Sequence, residues 1–271
     1  MAEYETHSDI HIGLETNDVD KQPIIFSVGH RCTTASLIKI MKMKFESYPF
    51  DWVVSKLETV QYCIQNKFND FLKGENFIRT ESDTINIVDN EKHFVTNESI
   101  VFNTQFEKNM LSATNGYKPN YRGTYGYMLA LTHHDMNNED NKKYFERCVK
   151  RFQNILELPQ KKFYLYVNPL IGNNEFEMTS ANILVQFIRF TEFMESCTKN
   201  SFGIYFFVVR NHDKRGIVET MYETDSMVVY IMNCNNELID GGGVFDGDFY
   251  DEQYKMLITI ENLLKTFKKN A

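Results

Sequence analysis

The sequence predicts an α/β fold: three layers, with a mixed or mostly parallel sheet and helices on both of its faces. Two observations carry this expectation. The first apolar run, Ile24-Ile25-Phe26-Ser27-Val28, is closed by Gly29 and followed by a helical pattern, so it reads as strand, tight turn, helix. The C-terminal half then alternates helix, strand, helix, strand, strand, helix, and such alternation builds a sheet with helices packed over it.

Taken in order, residues 1–20 carry Glu3, Glu5, Asp9, Glu15, Asp18 and Asp20 and no Lys or Arg. With no apolar periodicity, residues 1–22 are expected to be a disordered acidic tail. After the strand and its turn, residues 35–43 form a helix with Leu37, Ile38 and Met41 on one face. Tyr48-Pro49-Phe50-Asp51-Trp52 is an aromatic turn, with Pro49 fixing its own φ. A helix over 57–66, a short helical piece over 69–72, and short strands over 85–88, 93–96 and 99–103 follow. Residues 109–122 are loop-like, with Asn115-Gly116 as a turn signal. The apolar segment 125–131 ends at Thr132-His133-His134-Asp135.

Residues 139–158 form a helix on Tyr144, Val149, Phe152, Ile155 and Leu156, ended by Pro159. A strand over 162–167 stops at Asn168-Pro169, and a helix over 180–198 takes Thr179 or Ser180 as its N-cap. Strands over 203–209 and 227–232 follow, then the turn Asp240-Gly241-Gly242-Gly243. The closing helix, 251–268, carries the stripe Leu257, Ile260, Leu263, Leu264 and Phe267. No long Gly/Ser/Pro linker interrupts the chain, so residues 23–271 are expected to be a single domain.

Composition excludes several classes. Hydrophobic residues make up 42% and charged residues 24% of the 271, which suits a globular core and not a disordered chain. The net charge of -8 and a pI near 5.4 argue against broad nucleic-acid binding. No apolar run approaches the ~20 residues that span a bilayer, so no membrane partner is expected. The five cysteines, Cys32, Cys63, Cys148, Cys197 and Cys234, form no C-x-x-C pair. That favours reduced thiols and a cytoplasmic location over a disulfide framework or a zinc ribbon. His11, His30, His93 and His212 show no ligand spacing, so neither a metal nor any other cofactor is expected.

Cys32 is the leading candidate for chemistry. A thiol in the first turn of a helix sits among unpaired N–H groups at the positive end of the helix dipole, which favours the thiolate. His30 and Arg31 beside it push the same way; the alternative is a small residue packed in a turn. His133 and His134 close the segment before Asp135, and a histidine within reach of a thiol serves as its base. Solvated polar residues are the competing reading. Asn168 is either an orienting partner for a histidine or a turn residue. Arg147 and Arg151, at i and i+4, are either an anion clamp or a solvated helix face. Asp51, if buried, is expected to bind backbone N–H groups of its turn. Neither Gly29-His30-Arg31-Cys32 nor residues 240–243 match a nucleotide-binding loop.

Ser27-Val28-Gly29-His30-Arg31-Cys32-Thr33-Thr34-Ala35 followed by Tyr48-Pro49-Phe50-Asp51-Trp52 resembles the opening signature of a family. It is the family of putative papain-like cysteine peptidases, with bacterial and large-DNA-virus members. His134-Asp135 and the Arg147/Arg151 helix resemble its later blocks, so the likeness spans roughly residues 23–170. The resemblance implies Cys32 as nucleophile and His134 as base; it does not fix the third member, for which Asp135 and Asn168 are the candidates. Gly29, Arg31, Arg147 and Arg151 are the expected substrate-binding residues. The family name also implies an alternative fold, α+β papain-like. In that core the catalytic helix precedes the sheet, whereas here a strand leads into the Cys32 turn.

Three functions are carried forward. One is a thiol-dependent hydrolase or acyl/peptidyl transferase acting on a peptide or small-molecule substrate. The second is a Rossmann-like transferase of sugars or nucleotides that binds an anionic donor after the first strand. The third is a non-catalytic binding module, for instance a viral one.

Overall fold

The computed structural model describes residues 23–29, 32–74, 77–80, 99–102, 129–131, 134–171, 173–211, 213–234 and 250–269. Five strands, β1 (Ile24–Ser27), β6 (Lys162–Ile171), β7 (Ser201–Arg210), β8 (Val218–Glu223) and β9 (Met227–Cys234), form one sheet in the order β1-β6-β7-β9-β8. The first four in that order are parallel, and β8 is antiparallel to β9. A second, antiparallel sheet holds β2 (Val53–Ser55), β3 (Phe77–Thr80), β4 (Ser99–Phe102) and β5 (Leu129–Leu131), in the order β2-β5-β4-β3. The helices are α1 (Cys32–Ile40), α2 (Leu57–Gln65), α3 (Glu139–Glu157), α4 (Asn173–Cys197) and α5 (Tyr250–Lys269).

Side chains alternate across a strand, so a strand that is apolar at every position needs cover on both sides. Ile25, Phe163, Leu165, Ile204 and Phe206 face Leu37, Ile38 and Met41 of α1 and Met256, Ile260 and Leu264 of α5. Their neighbours Phe26, Tyr164, Tyr166, Tyr205 and Phe207 face the other way, into a cluster with Phe152 of α3, Phe187 and Phe190 of α4 and Val60 of α2. Val53 and Leu131 of the second sheet join that cluster. This is the expected three-layer α/β arrangement, with the strand before the Cys32 turn inside a mostly parallel sheet; the α+β alternative does not form.

Several local expectations are corrected. The first helix starts at Cys32 and ends at Ile40, three residues early at each end. The fourth helix starts at Asn173, so Thr179 and Ser180 are interior and not its N-cap. Its first turns, Asn173-Asn174-Glu175, are polar enough to read as loop. Strand β6 runs through Asn168-Pro169 to Ile171, with a register shift against β7 after Asn168. Pro169 is tolerated because the β1 pairing ends at Ser27 opposite Leu165, so no ladder bond on that side is lost. Residues 69–72 form turns, not a helical piece. The strands β2, β3 and β8 had no sequence signal strong enough to name them. The expected acidic tail, the strands over 85–88 and 93–96, the 109–122 loop and the 240–243 turn lie outside the described residues.

One buried cation closes the base of the sheet. Lys162 is fully buried, and its ammonium donates to the carbonyls of Leu158, Gln160 (3.1 Å) and Lys199 (3.0 Å). Leu158 is the C-cap of α3, where a positive charge also meets the negative end of the helix dipole. Lys162→Met is expected to destabilise the protein by about 3 kcal/mol, because buried carbonyls lose a charged donor. Equilibrium denaturation checks this, and a loss below about 1 kcal/mol would show that water replaces the ammonium. Among the described residues no helix is long and apolar enough to cross a membrane.

Candidate functional site

In a parallel α/β sheet the crevice beyond the carboxyl ends of the strands is where ligands bind. The β1–α1 turn lies there. Gly29 has φ +95°, a conformation L side chains rarely adopt. Its N–H donates to Ser27 Oγ at 3.0 Å, and its carbonyl accepts from Thr34 Oγ1 at 2.9 Å. The turn is thus tied at both ends by side chains of its own segment. Cys32 is the first residue of α1, where an α-helix leaves its leading N–H groups without intrahelical partners. The Cys32 side chain and Arg31 lie outside the described residues.

Two buried groups brace this turn. A Cβ on Gly29 would stand 1.8 Å from Ser55 Oγ, so only glycine admits Ser55 there. Ser55 is the last residue of β2, is 1% exposed, and its hydroxyl has no hydrogen-bond partner among the described residues. Phe50 is fully buried and packs edge-on against Phe152 at 5.8 Å.

Next to Phe50, Asp51 does the structural work expected of it. Its Oδ2 accepts the Tyr48 N–H at 2.6 Å and pairs with the Lys44 ammonium. Lys44 lies 5.7 Å from the Tyr48 ring centre and 5.9 Å from that of Trp52. Burial pushes the Asp51 carboxyl up, against the opposing pull of Lys44.

His134 follows β5 and is held by one face of α3. Asn138 caps that helix, accepting the N–H groups of Asp140 (2.9 Å) and Asn141 (3.2 Å). Positions 141, 144 and 145 then fall on one side of it. Asn141 Oδ1 is 3.3 Å from His134 Nδ1, and Asn141 Nδ2 donates to the Asp135 carbonyl at 3.2 Å. The second bond fixes which end of the amide is the acceptor. The His134 proton is therefore assigned to Nδ1, which leaves Nε2 as the basic nitrogen. Tyr144 stacks on the imidazole at 5.2 Å and 23°, and Phe145 meets it edge-on at 5.3 Å. Burial pushes the Tyr144 phenol up to about 12.

The remaining candidates are placed as follows. Asp135 Oδ1 accepts the Asn137 N–H at 2.8 Å. Arg147 is exposed on α3, while Arg151 Nε pairs with Glu46 Oε1 at 3.2 Å. Asn168 lies in β6, with its side chain outside the described residues, as is His133. Cys63, Cys148 and Cys234 are buried, and Cys197 is partly exposed. Burial pushes the Cys63, Cys148 and Cys197 thiols up, away from thiolate. Cys234 Sγ donates to the Val209 carbonyl at 3.4 Å. Among the described residues no group of His, Cys, Asp and Glu is arranged to hold a metal ion.

Sequence reasoning missed Asn141 and Ser55. Asn141 reads as one more polar residue of an amphipathic helix, and only its closeness to Asn138 hinted at a helix start. Ser55 sits in a three-residue strand too short to be recognised.

No curated protein and no solved structure matches this chain. The family comparison does: the Cys32 turn, the aromatic segment 48–52 and the His134 cradle all fall within residues 24–211, which match the family described as putative papain-like cysteine peptidase, and the chain belongs to that family.

Proposed function

We propose that this chain is a thiol-dependent hydrolase or acyl/peptidyl transferase, with Cys32 as nucleophile and His134 as base. The observation that carries the reading is the His134 cradle. An imidazole whose Nδ1–H is committed to an amide oxygen and whose plane is set by two aromatic rings is prepared to use Nε2. Asn141 fills the orienting role for which Asp135 and Asn168 are the alternatives.

In the proposed reaction Nε2 takes the Cys32 thiol proton. The thiolate attacks the substrate carbonyl, a C–S bond forms, and the carbonyl electron pair moves onto oxygen. The tetrahedral centre collapses, the C–N bond breaks, and the imidazolium returns its proton to the leaving amine. Water, or an acceptor amine, then gives a proton to Nε2 and attacks the thioester carbonyl, the C–S bond breaks, and the proton returns to the Cys32 thiolate. N–H groups at the start of α1 stabilise the oxyanion. Gly29, Arg31, Arg147 and Arg151 are the proposed substrate contacts, with Arg151 also paired to Glu46.

The test is the rate of iodoacetamide labelling of each cysteine against pH, read by peptide mass spectrometry. Cys32 alone is expected to react fast, with a midpoint well below the ~8.5 of a free thiol. Cys63, Cys148 and Cys234 are expected to stay unlabelled in the folded protein, and Cys197 to react slowly. A Cys32 that is inert, or that titrates as a free thiol, removes the reading.

A further inference from the structure

We infer that Ser55 is a further catalytic residue, its hydroxyl donating a hydrogen bond to the oxyanion formed at Cys32; the inference rests on the proposed thiol chemistry. Buried hydroxyls are normally partnered, and an unpartnered one is costly. Ser55 Oγ is buried and has no partner among the described residues, yet it fills the place that a Cβ of Gly29, three residues before Cys32, would take. Among the described residues, the turn offers it no bond. The Gly29 N–H is committed to Ser27, and the Gly29 carbonyl to Thr34.

The hydroxyl thus stands over the turn that opens α1, whose leading N–H groups are the other donors of the site. It is fixed there by β2, through the pairing of Ser55 with Leu129. A water-excluded donor held in place before the reaction is the kind that stabilises a developing negative charge most. In the step concerned the Cys32–carbon bond forms and the C=O pair becomes an oxygen lone pair. Ser55 donates a hydrogen bond to that oxygen and keeps its proton.

The experiment compares two reagents on the full chain. p-Nitrophenyl acetate acylates Cys32 through an oxyanion, read as a burst of p-nitrophenolate. Iodoacetamide alkylates the same thiol by displacement at saturated carbon, with no oxyanion. Ser55→Ala is expected to slow acylation by about 10²-fold, the loss seen for one oxyanion donor, while alkylation stays within about twofold. Its thermal midpoint should not fall, since an unpartnered hydroxyl is removed. Unchanged acylation overturns the inference, and so does an equal loss of both rates in both Ser55→Ala and Ser55→Gly, which would assign Ser55 to the shape of the turn. If the unsubstituted protein shows neither a burst nor fast alkylation, the thiol reading itself has failed, and this inference with it.

Discussion

Lys44→Met is expected to destabilise the protein by about 3–5 kcal/mol, the usual loss when one partner of a buried ion pair is removed. Methionine keeps the length of the side chain but leaves the Asp51 carboxylate, 1% exposed, with the Tyr48 N–H as its one donor among the described residues. Its Oδ1 already lacks a partner. Asp51 sits inside the segment that carries Phe50, so the loss reaches the aromatic packing beneath the Gly29 turn. Adding Asp51→Asn to Lys44→Met should restore part of the stability, because a neutral amide still accepts the Tyr48 N–H. The pH dependence has a definite sign. Burial raises the folded-state pKa of Asp51 above its ordinary value, so protonation favours the folded state, and that contribution is lost as pH rises through the folded-state pKa. Without Lys44 the pKa rises further. The variant should therefore regain stability relative to the unsubstituted protein as pH falls from neutral. Denaturation midpoints across the acidic range decide it. A loss under about 1 kcal/mol at pH 7 would show that Lys44 is a surface charge in solution.

His134→Ala is expected to cost about 10²- to 10⁴-fold in the rate of Cys32 acylation, the range for a positioned acid–base group. The alkylation midpoint of Cys32 should move up toward ~8.5 in the same variant, because the thiolate loses its imidazolium partner. Asn141→Ala keeps the imidazole but frees its Nδ1–H and its plane, and a loss of about 10²-fold is expected from misplacement alone. Asn141→Asp supplies an acceptor again and should recover part of that loss. It should also shift the pH profile, since a carboxylate favours the imidazolium. If His134→Ala labels and acylates like the unsubstituted protein, the base lies elsewhere and the cradle is structural.

How much of this was legible in the sequence differs by element. The long apolar strands and helices β6, β7, α3 and α5 were readable because each carries a full period of pattern, and their burial on both sides gave the α/β class. Strand β2 has three residues and a neighbouring Pro-aromatic turn that dominates its pattern. Strand β8 is half-buried along its length, so its residues do not separate into an apolar and a polar face. Cys32, His134 and Asp51 stood out because their residue types carry chemistry or cost energy when buried. Asn141 and Ser55 do not. Their significance comes from an amide turned toward an imidazole seven residues away and a hydroxyl pressed on a glycine of another segment, and both are properties of the packed structure, not of residue type.

Strand β8 also bears on how the molecule behaves in a crowded solution. Among the described residues it forms one of the two ends of the sheet, the one opposite β1, where a neighbouring chain would add a strand. Its register against β9 slips between Thr220 and Tyr222, and it carries Glu219 and Glu223, the first bonded to Lys214 and Asn233. A kinked border with carboxylates is a poor template for strand addition. An otherwise very apolar sheet is thereby guarded against growing into fibres from that border.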